Sequence, residues 1–227
     1  MLKFLYSALI FATTFIFSCA DYPRIDEIEN TFKPGADFTD TRNNQTYKTV
    51  IIGDQTWMAR NLNYNVYGSK CYDDKPVNCN TYGMLYDWAT AMDLEESYNQ
   101  NSSGYDPKHQ GVCPDGWHLP SDTDWQILVE YVGANVGVKL RAKSGWSDKA
   151  DLGDDDYGFS ALPSGFYDTK KFGDMEDGNQ IGYWWSNTEL KNDSEQACYR
   201  RIGFDYNNVS KINGKKIYMF AVRCIKG

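Results

Sequence analysis

The chain has 227 residues and a formal net charge of −8 at pH 7, and 15% of its residues are aromatic. Its acidity gives no support for nucleic-acid binding, which depends on neutralising phosphates with Lys and Arg, or for lying flat on anionic lipid. The high aromatic content is typical of a strand- and loop-rich extracellular fold, in which exposed rings suit contacts with sugars or proteins.

The N-terminus has the pattern of a secretory signal peptide over residues 1–18. Lys3 supplies a positive charge, and residues 4–17 are almost wholly apolar. This run is shorter than the roughly 20 residues that a membrane span needs. Residues 16–19, Ile-Phe-Ser-Cys, resemble a bacterial lipobox, so we predict that Cys19 is lipidated. A plain signal peptide with an incidental Cys19 is the alternative. Lipidation would place the protein in the cell envelope, at the outer membrane or cell surface, with the lipid as its membrane contact.

Residues 19–45 contain two prolines, a glycine and many polar residues, without a sustained hydrophobic period. We therefore predict a tether that joins the lipid to a domain over residues 46–227. In the alternative, Phe32 and Phe38 pack back onto the domain as an irregular arm. A domain of about 180 residues is long enough to bury one core of ordinary size.

Two elements are predicted in the first half of the domain. Residues 47–52 and 55–59 flank Gly53-Asp54, a two-residue connection suited to the type II′ turn of a β-hairpin. A helix is then predicted from Tyr82 to Met92, because apolar residues recur there on one helical face. These residues are Leu85, Trp88, Ala89 and Met92.

A second helix is predicted from Ser121 to Gly133. Ser121 is a natural N-cap, and Asp122 and Asp124 lie in the first turn, where the helix dipole favours negative charge. Gly133 suits a C-cap. The apolar face consists of Trp125, Leu128, Val129 and Val132, spaced at i, i+3, i+4 and i+7.

The C-terminal third is predicted to form strands over residues 182–188, 197–204 and 217–225. Asn213-Gly214 supplies a turn signal between the last two strands. Alternation places Tyr218, Phe220, Val222 and Cys224 on one strand face. Two helices between an N-terminal hairpin and C-terminal antiparallel strands indicate a loop-rich α+β domain.

Five cysteines follow Cys19, and disulfides are plausible in an exported chain. Cys71 and Cys79 flank a polar loop that a local disulfide would close. Cys113 precedes an apolar segment and Cys224 lies near the C-terminus, so a disulfide between them would tie the chain end to the core. Cys198 would then remain unpaired.

Six motifs in chain order resemble the Fibrobacter succinogenes major paralogous domain, a family of bacterial secreted proteins and lipoproteins. They are Ile51–Leu62, Tyr82–Met92, Cys113–Ser121, Asp156–Pro163, Tyr183–Ser186 and Val222–Cys224. The segment Trp117–Trp125 also resembles the helix entry of sulfatase-modifying-factor domains, which have a C-type-lectin-like fold. This second resemblance implies an α+β, C-type-lectin-like domain whose termini pair and whose long loop region carries the binding surface.

The sequence does not support a catalytic centre. A formylglycine-generating enzyme of the sulfatase-modifying-factor kind needs a close pair of reactive cysteines to hold copper, whereas Cys198 and Cys224 lie 26 residues apart. His118 lies inside an apolar segment and is interpreted as a structural residue. Zinc is the competing interpretation of the cysteines, but no Cys-x-x-Cys pair is present and only His109 and His118 could assist.

Calcium is a possible ligand of the loop that contains Asp154, Asp155 and Asp156, together with Asp151. Calcium takes six to eight oxygen ligands, and carboxylates supply them readily. A solvated acidic surface is the alternative. No other cofactor is predicted.

Aromatic residues 183–185 suggest a binding face. Successive residues of a strand point to opposite faces, so we predict Trp184 inside and Tyr183 and Trp185 at the surface. Asn187 and Glu189 would add polar contacts; the alternative is that all the rings are core. We therefore expect a non-catalytic domain that binds glycan or polysaccharide. Surface protein–protein interaction or a structural role is the alternative, followed by a formylglycine-generating type of oxidative enzyme.

Overall fold

The computed structural model describes residues 32–104, 108–146, 153–175, 180–204 and 206–227. The strands, β1 to β13, are Phe38–Asp40, Gln45–Tyr47, Thr49–Ile52, Gln55–Met58, Leu85–Tyr86, Trp117–His118, Phe166–Tyr167, Phe172–Gly173, Ile181–Leu190, Asp193–Gly203, Ser210–Lys215, Phe220–Ala221 and Ile225–Lys226. The helices, α1 to α4, are Pro76–Tyr82, Trp88–Ala91, Asp122–Val132 and Val136–Leu140, and two 3₁₀ turns lie at Tyr72–Asp74 and Glu96–Asn99. This is a mixed α+β fold, as predicted.

Two sheets carry most of the architecture. The five-stranded sheet has the order β11-β10-β9-β12-β5, with the long strands β9 and β10 paired antiparallel. The four-stranded sheet has the order β3-β4-β13-β6. In it, Ile225 of the last strand pairs with Trp57 on one side and His118 on the other. The C-terminal strand therefore lies directly beside the N-terminal hairpin, which brings the two ends of the domain together.

Strand β9 separates two hydrophobic clusters. Trp184 packs in one cluster with Trp57 and Trp125, whereas Trp185 packs in the other with Trp88 and Phe220. Alternation along the strand thus sends neighbouring side chains into different cores, because both sheet faces are covered. All seven tryptophans are buried, with none more than 6% exposed. The high aromatic content therefore builds the interior.

The N-terminal hairpin is confirmed. Residues Thr49–Ile52 pair with Gln55–Met58 through a two-residue turn, and Ile52 is the partner of Gln55. Gly53 has φ +60°, the conformation that the first position of a type II′ turn requires.

The helix predicted at Ser121 is also confirmed. The Ser121 hydroxyl accepts a hydrogen bond from the Asp124 amide at 3.1 Å, and the Asp124 carboxylate accepts one from the Ser121 amide at 2.8 Å. This reciprocal capping box satisfies two amides that the helix leaves unpaired. Trp125, Leu128 and Val132 are buried, and the helix ends before Gly133 at φ +73°.

The helix predicted from Tyr82 to Met92 is wrong as a single element. Helix α1 ends at Tyr82, and Gly83 then adopts φ +79°. The amide and carbonyl of Leu85 pair with Lys70, so they are used in strand pairing. Only Trp88–Ala91 is α-helical, capped by the Asp87 carboxylate. Tertiary pairing here overrides a helical hydrophobic period.

The predicted turn at Asn213-Gly214 is also wrong. Both residues lie inside β11, opposite Cys198 and Ala197. A Cβ at Gly214 would come within 2.7 Å of the Tyr199 ring, so glycine serves close packing across the strands at this position. The strand predicted over 217–225 is replaced by two short strands, β12 and β13, which belong to different sheets.

The arm alternative describes residues 32–45 better than the tether does. Pro34 forms a bridge with Val50, and β1 pairs antiparallel with β2. The Phe38 ring lies 5.4 Å from the Trp117 ring between centroids. The signal peptide, Cys19 and the rest of the tether lie outside the described residues. Within the described ranges, no helix combines the length and apolar character of a membrane span.

Both predicted disulfides are present, Cys71–Cys79 and Cys113–Cys224. Cys198 is a free, buried cysteine. The sulfurs of the four other described cysteines are bonded in pairs, which removes them as thiolate ligands for zinc.

Replacing both Cys113 and Cys224 with alanine should destabilise the domain much more than replacing both Cys71 and Cys79 with alanine. The chain-entropy model assigns about 5 kcal/mol to a loop of 111 residues and about 2.5 kcal/mol to one of 8 residues. Urea denaturation of the two double variants measures the difference. Equal losses of unfolding free energy would contradict this expectation.

Candidate functional site

The predicted exposed aromatic face does not exist in the structure. Trp185 is fully buried and Tyr183 is 6% exposed. The indole N–H of Trp185 donates to the Tyr86 carbonyl at 2.8 Å, and its ring lies 4.4 Å from Phe220 between centroids. Tyr183 stacks on Phe220 at 5.1 Å. The prediction that these two rings face solvent is wrong because β9 is covered on both sides, and the all-core alternative holds.

Asn187 is buried and has a structural partner. Its side-chain amide donates to the Leu119 carbonyl at 3.1 Å, and its backbone amide donates to Pro120 at 3.0 Å. The neighbouring Thr188 hydroxyl accepts from the Asp122 amide at 2.9 Å. This end of β9 therefore anchors the loop that enters α3, and Asn187 does not face an open binding surface.

Glu189 forms an ion pair with the fully buried Lys216. Its carboxylate also accepts from the Ser103 amide at 3.0 Å and the Ser102 hydroxyl at 3.0 Å. Lys216 also donates to the carbonyls of Tyr98 and Asn101, in the loop that leads to Ser103. Its Nζ lies 4.2 Å from the centre of the Trp88 ring. Burial alone would raise the pKa of Glu189, but the bonds from Lys216, Ser103 and Ser102 together lower the pKa below its usual value. The pair holds the loop onto the sheet.

His118 also has a structural environment. Its Nδ1 lies 3.1 Å from the Gly227 oxygen, and its Nε2 lies 3.7 Å from the Asp124 carboxylate. Burial tends to raise the pKa of Asp124, but hydrogen bonds from His118 and Ser121 lower it overall. These contacts join the C-terminus to the start of α3, and they use His118 in the fold.

The aspartates proposed for calcium do not converge. Within the described part of the chain, no group of three or more His, Cys, Asp or Glu could hold a metal ion. Both oxygens of Asp155 face Ser160, accepting from its amide at 2.7 Å and its hydroxyl at 2.6 Å. Asp154 is exposed and Asp156 is half-buried, and Asp151 lies outside the described residues. The calcium prediction for Asp154, Asp155 and Asp156 is therefore not supported, because the carboxylate of Asp155 is hydrogen-bonded to Ser160 and the three side chains do not form a metal-binding group.

The candidate site is a cleft of about 730 Å³ between the N-terminal arm and the loop over residues 155–160. We call it the arm cleft. The arm, the edge strand β3, the end of β4 and the loop all contribute to its walls. Its lining residues are Phe32, Pro34, Gly35, Asp37, Lys48, Thr49, Val50, Ala59, Arg60, Lys143, Asp155, Gly158 and Ser160.

The loop wall of the arm cleft has a constrained backbone. Asp155 and Ser160 have φ +48° and +51°, a conformation that costs non-glycine residues free energy and concentrates at binding sites. The Asp155–Ser160 bonds hold both residues in place. A Cβ at Gly158 would meet the Phe32 ring at 2.1 Å, so glycine allows the arm to pack directly on the loop. The cleft is therefore preformed.

Arg223 supports the cleft from inside the protein. It is 1% exposed and donates to the carbonyls of Met58 at 3.1 Å and Phe159 at 2.5 Å. Its guanidinium carbon lies 4.5 Å from the centre of the Phe159 ring. Burial lowers the pKa of Arg223 to about 9, so the group remains cationic at neutral pH. Arg223 thereby joins the end of β4 to the loop wall.

The sequence contained a signal for this site that composition and periodicity did not reveal. Motif Ile51–Leu62 includes Arg60, motif Asp156–Pro163 includes Gly158 and Ser160, and motif Val222–Cys224 includes Arg223. The first two segments line the cleft, and Arg223 of the third supports its wall from inside. Their convergence depends on the pairing of the chain ends, which no local pattern specifies.

Comparison with known proteins identifies a family. The model of the Fibrobacter succinogenes major domain family matches residues 50–226, the segment that carries all six sequence motifs. No curated protein and no solved structure matches the chain.

Glu189→Gln should lower the free energy of unfolding at pH 7 by about 3 kcal/mol, because it leaves the Lys216 ammonium buried without its counter-charge. The lowered pKa of Glu189 means that its contribution is present above the unfolded-state pKa and is lost as pH falls through the folded-state pKa. The variant should therefore lose less stability than the wild type on acidification below pH 4.5.

Chemical denaturation between pH 3 and pH 7 tests both parts, with Glu195→Gln as the matched control because Glu195 is exposed. Identical pH profiles for Glu189→Gln and the wild type would exclude a structural role for this ion pair.

Proposed function

The chain belongs to the Fibrobacter succinogenes major domain family, and from this premise we propose that it is a non-catalytic binding module of the cell envelope. Its ligand is a glycan or polysaccharide that occupies the arm cleft. The module is carried by a lipid on Cys19, and the lipobox-like residues 16–19 support this anchoring. The pairing of the C-terminal strand with the N-terminal hairpin supports a C-type-lectin-like architecture.

The composition of the arm cleft is the observation that carries the proposal. Its volume lies within the roughly 300–1,000 Å³ of typical ligand sites. A saccharide offers hydroxyl groups that both donate and accept hydrogen bonds, together with apolar ring faces. The cleft offers carboxylates, cations, hydroxyls and the half-exposed ring of Phe32. This mixture suits a sugar better than a purely apolar ligand.

The state of the cysteines supports binding in preference to copper chemistry. Cys224 is bonded to Cys113, so its sulfur is not a free thiol. Cys198 is buried, and burial raises the pKa of its thiol, which disfavours the thiolate that metals bind. The two cysteines that the oxidative alternative requires are therefore engaged or enclosed.

Phe32→Ala should weaken glycan binding by about two- to tenfold, the range expected for losing one aromatic contact. Its ring is 54% exposed, so the fold should tolerate the change. Tyr67→Ala is the matched control, because Tyr67 is fully exposed and does not line the cleft. A glycan array identifies the ligand and isothermal titration measures the affinities.

Two results would reject the glycan proposal. One is an equal effect of Tyr67→Ala and Phe32→Ala on affinity. The other is a lack of glycan retention combined with a protein partner recovered by cross-linking intact cells, which would favour the protein-interaction alternative.

Cys19→Ser should abolish incorporation of an alkyne-labelled fatty acid by cells that express the full chain, because the thiol is the proposed acylation site. Cys198→Ser should retain the label. Click labelling followed by gel fluorescence measures both. Undiminished labelling of Cys19→Ser would refute lipid anchoring at this residue.

A further inference from the structure

We infer that the arm cleft selects an acidic saccharide, whose carboxylate is bound by Arg60 and Lys143. This inference rests on the proposed function and narrows its ligand class. It starts from which charged side chains of the cleft already have a partner of opposite charge and which do not.

The two acidic side chains of the cleft have partners. Asp37 is paired with Lys48 at 2.6 Å, and both side chains are solvent-accessible. Asp155 accepts the amide and hydroxyl hydrogens of Ser160. Both carboxylates can still accept a sugar hydroxyl, since each oxygen has two lone pairs. Lys48 compensates the charge of Asp37, whereas Asp155 keeps its negative charge because the Ser160 amide and hydroxyl are neutral.

The remaining cations of the cleft have no carboxylate partner among the described residues. Arg60 donates through one Nη to the Asn80 carbonyl at 2.7 Å, which positions its guanidinium without neutralising it. Lys143 is exposed and lines the same cleft. Apart from the Asp37–Lys48 pair, the cleft lining carries the two positive charges of Arg60 and Lys143 and the one negative charge of Asp155, an excess of one positive charge in a chain whose net charge is −8.

Arg223 adds a third positive charge behind the wall. Its hydrogen bonds in the described structure are with carbonyl oxygens and the Asn61 amide oxygen, and the Asp155 carboxylate acts on its charge only through space. Asp155 and Arg60 both influence its ionisation, which places it within electrostatic range of the cleft lining. A buried charge is screened less than an exposed one, and a cleft with low-dielectric walls concentrates the field. The cleft therefore favours an anionic ligand over a neutral one.

The other lining groups favour a saccharide carboxylate over a small inorganic anion. A simple phosphate would meet the cations and leave most of the 730 Å³ cavity unfilled. The hydroxyl of Ser160, the carboxylates and the Phe32 ring are suited to the hydroxyls and ring faces of a uronic acid chain. A guanidinium binds a carboxylate through two parallel hydrogen bonds, which fixes its orientation.

Isothermal titration with an oligogalacturonide and with its carboxyl-reduced counterpart tests the inference, because the two probes differ only in charge and the carboxyl oxygens. The wild type should bind the acidic oligomer about fivefold more tightly. This factor corresponds to the strongest contribution expected from a single solvent-accessible charge pair. Lys143→Gln and Arg60→Gln should each reduce this preference. Lys191→Gln, which removes an exposed charge outside the cleft, should retain it.

Equal affinity for the two oligomers, or a preference that survives both cleft substitutions, would overturn the acidic ligand class. Competition by inorganic phosphate as strong as that by the oligogalacturonide, at equal ionic strength, would reduce the effect to anion attraction and also overturn it. Retention of neutral glycans alone would overturn this inference and leave the proposed function intact. Failure to bind any glycan, acidic or neutral, would remove the proposed function itself.

Discussion

The amide oxygen of Asn61 is the central acceptor of a buried hydrogen-bond network that holds the interior together. It accepts hydrogen bonds from the Trp184 indole at 2.8 Å and from two nitrogens of Arg223 at 3.0 and 2.7 Å. The side-chain NH₂ of Asn61 donates to the Tyr82 carbonyl at 2.7 Å. These bonds join the end of the hairpin, the central strand, the first helix and the C-terminal segment. Buried polar networks of this kind specify one arrangement, because each unsatisfied member would cost free energy.

The same arrangement explains why the aromatic residues do not form a binding surface. Trp184 bonds Asn61 and packs in one hydrophobic cluster, and Trp185 packs against Phe220 in the other. Strand β9 consequently has no solvent-facing side where its aromatic rings lie. Aromatic abundance in this chain supplies core volume for a fold with short helices and many loops, and the candidate site combines charged and hydroxyl groups with apolar side chains.

The candidate site therefore depends on the meeting of chain segments far apart in sequence. The arm contributes Phe32, the hairpin contributes Arg60, and the loop contributes Asp155 and Ser160. Arg223, near the C-terminus, supports the loop from behind through the Phe159 carbonyl. The Cys113–Cys224 disulfide lies one residue further along, so the same covalent tie that holds the chain end also maintains the position of Arg223. Stability and the proposed ligand selectivity are thus linked through one segment.

The sequence alone determined the features that depend on local chemistry and on cysteine spacing. These are the hairpin at Gly53, the capped helix at Ser121, both disulfides and the family, whose motifs are contiguous in the chain. Only the tertiary structure determined the environment of residues whose sequence pattern is compatible with either a buried or an exposed position, or with either a turn or a strand. Period-two alternation does not distinguish a half-exposed strand from one buried on both faces, which is why the prediction of an exposed Trp185 is wrong. Gly214 carries a turn signal, but its role is set by a ring across the sheet. The motifs that contribute to the arm cleft are present in the sequence, but the tertiary structure alone brings them together, because the charges of the cleft converge only when the two ends of the domain share a sheet.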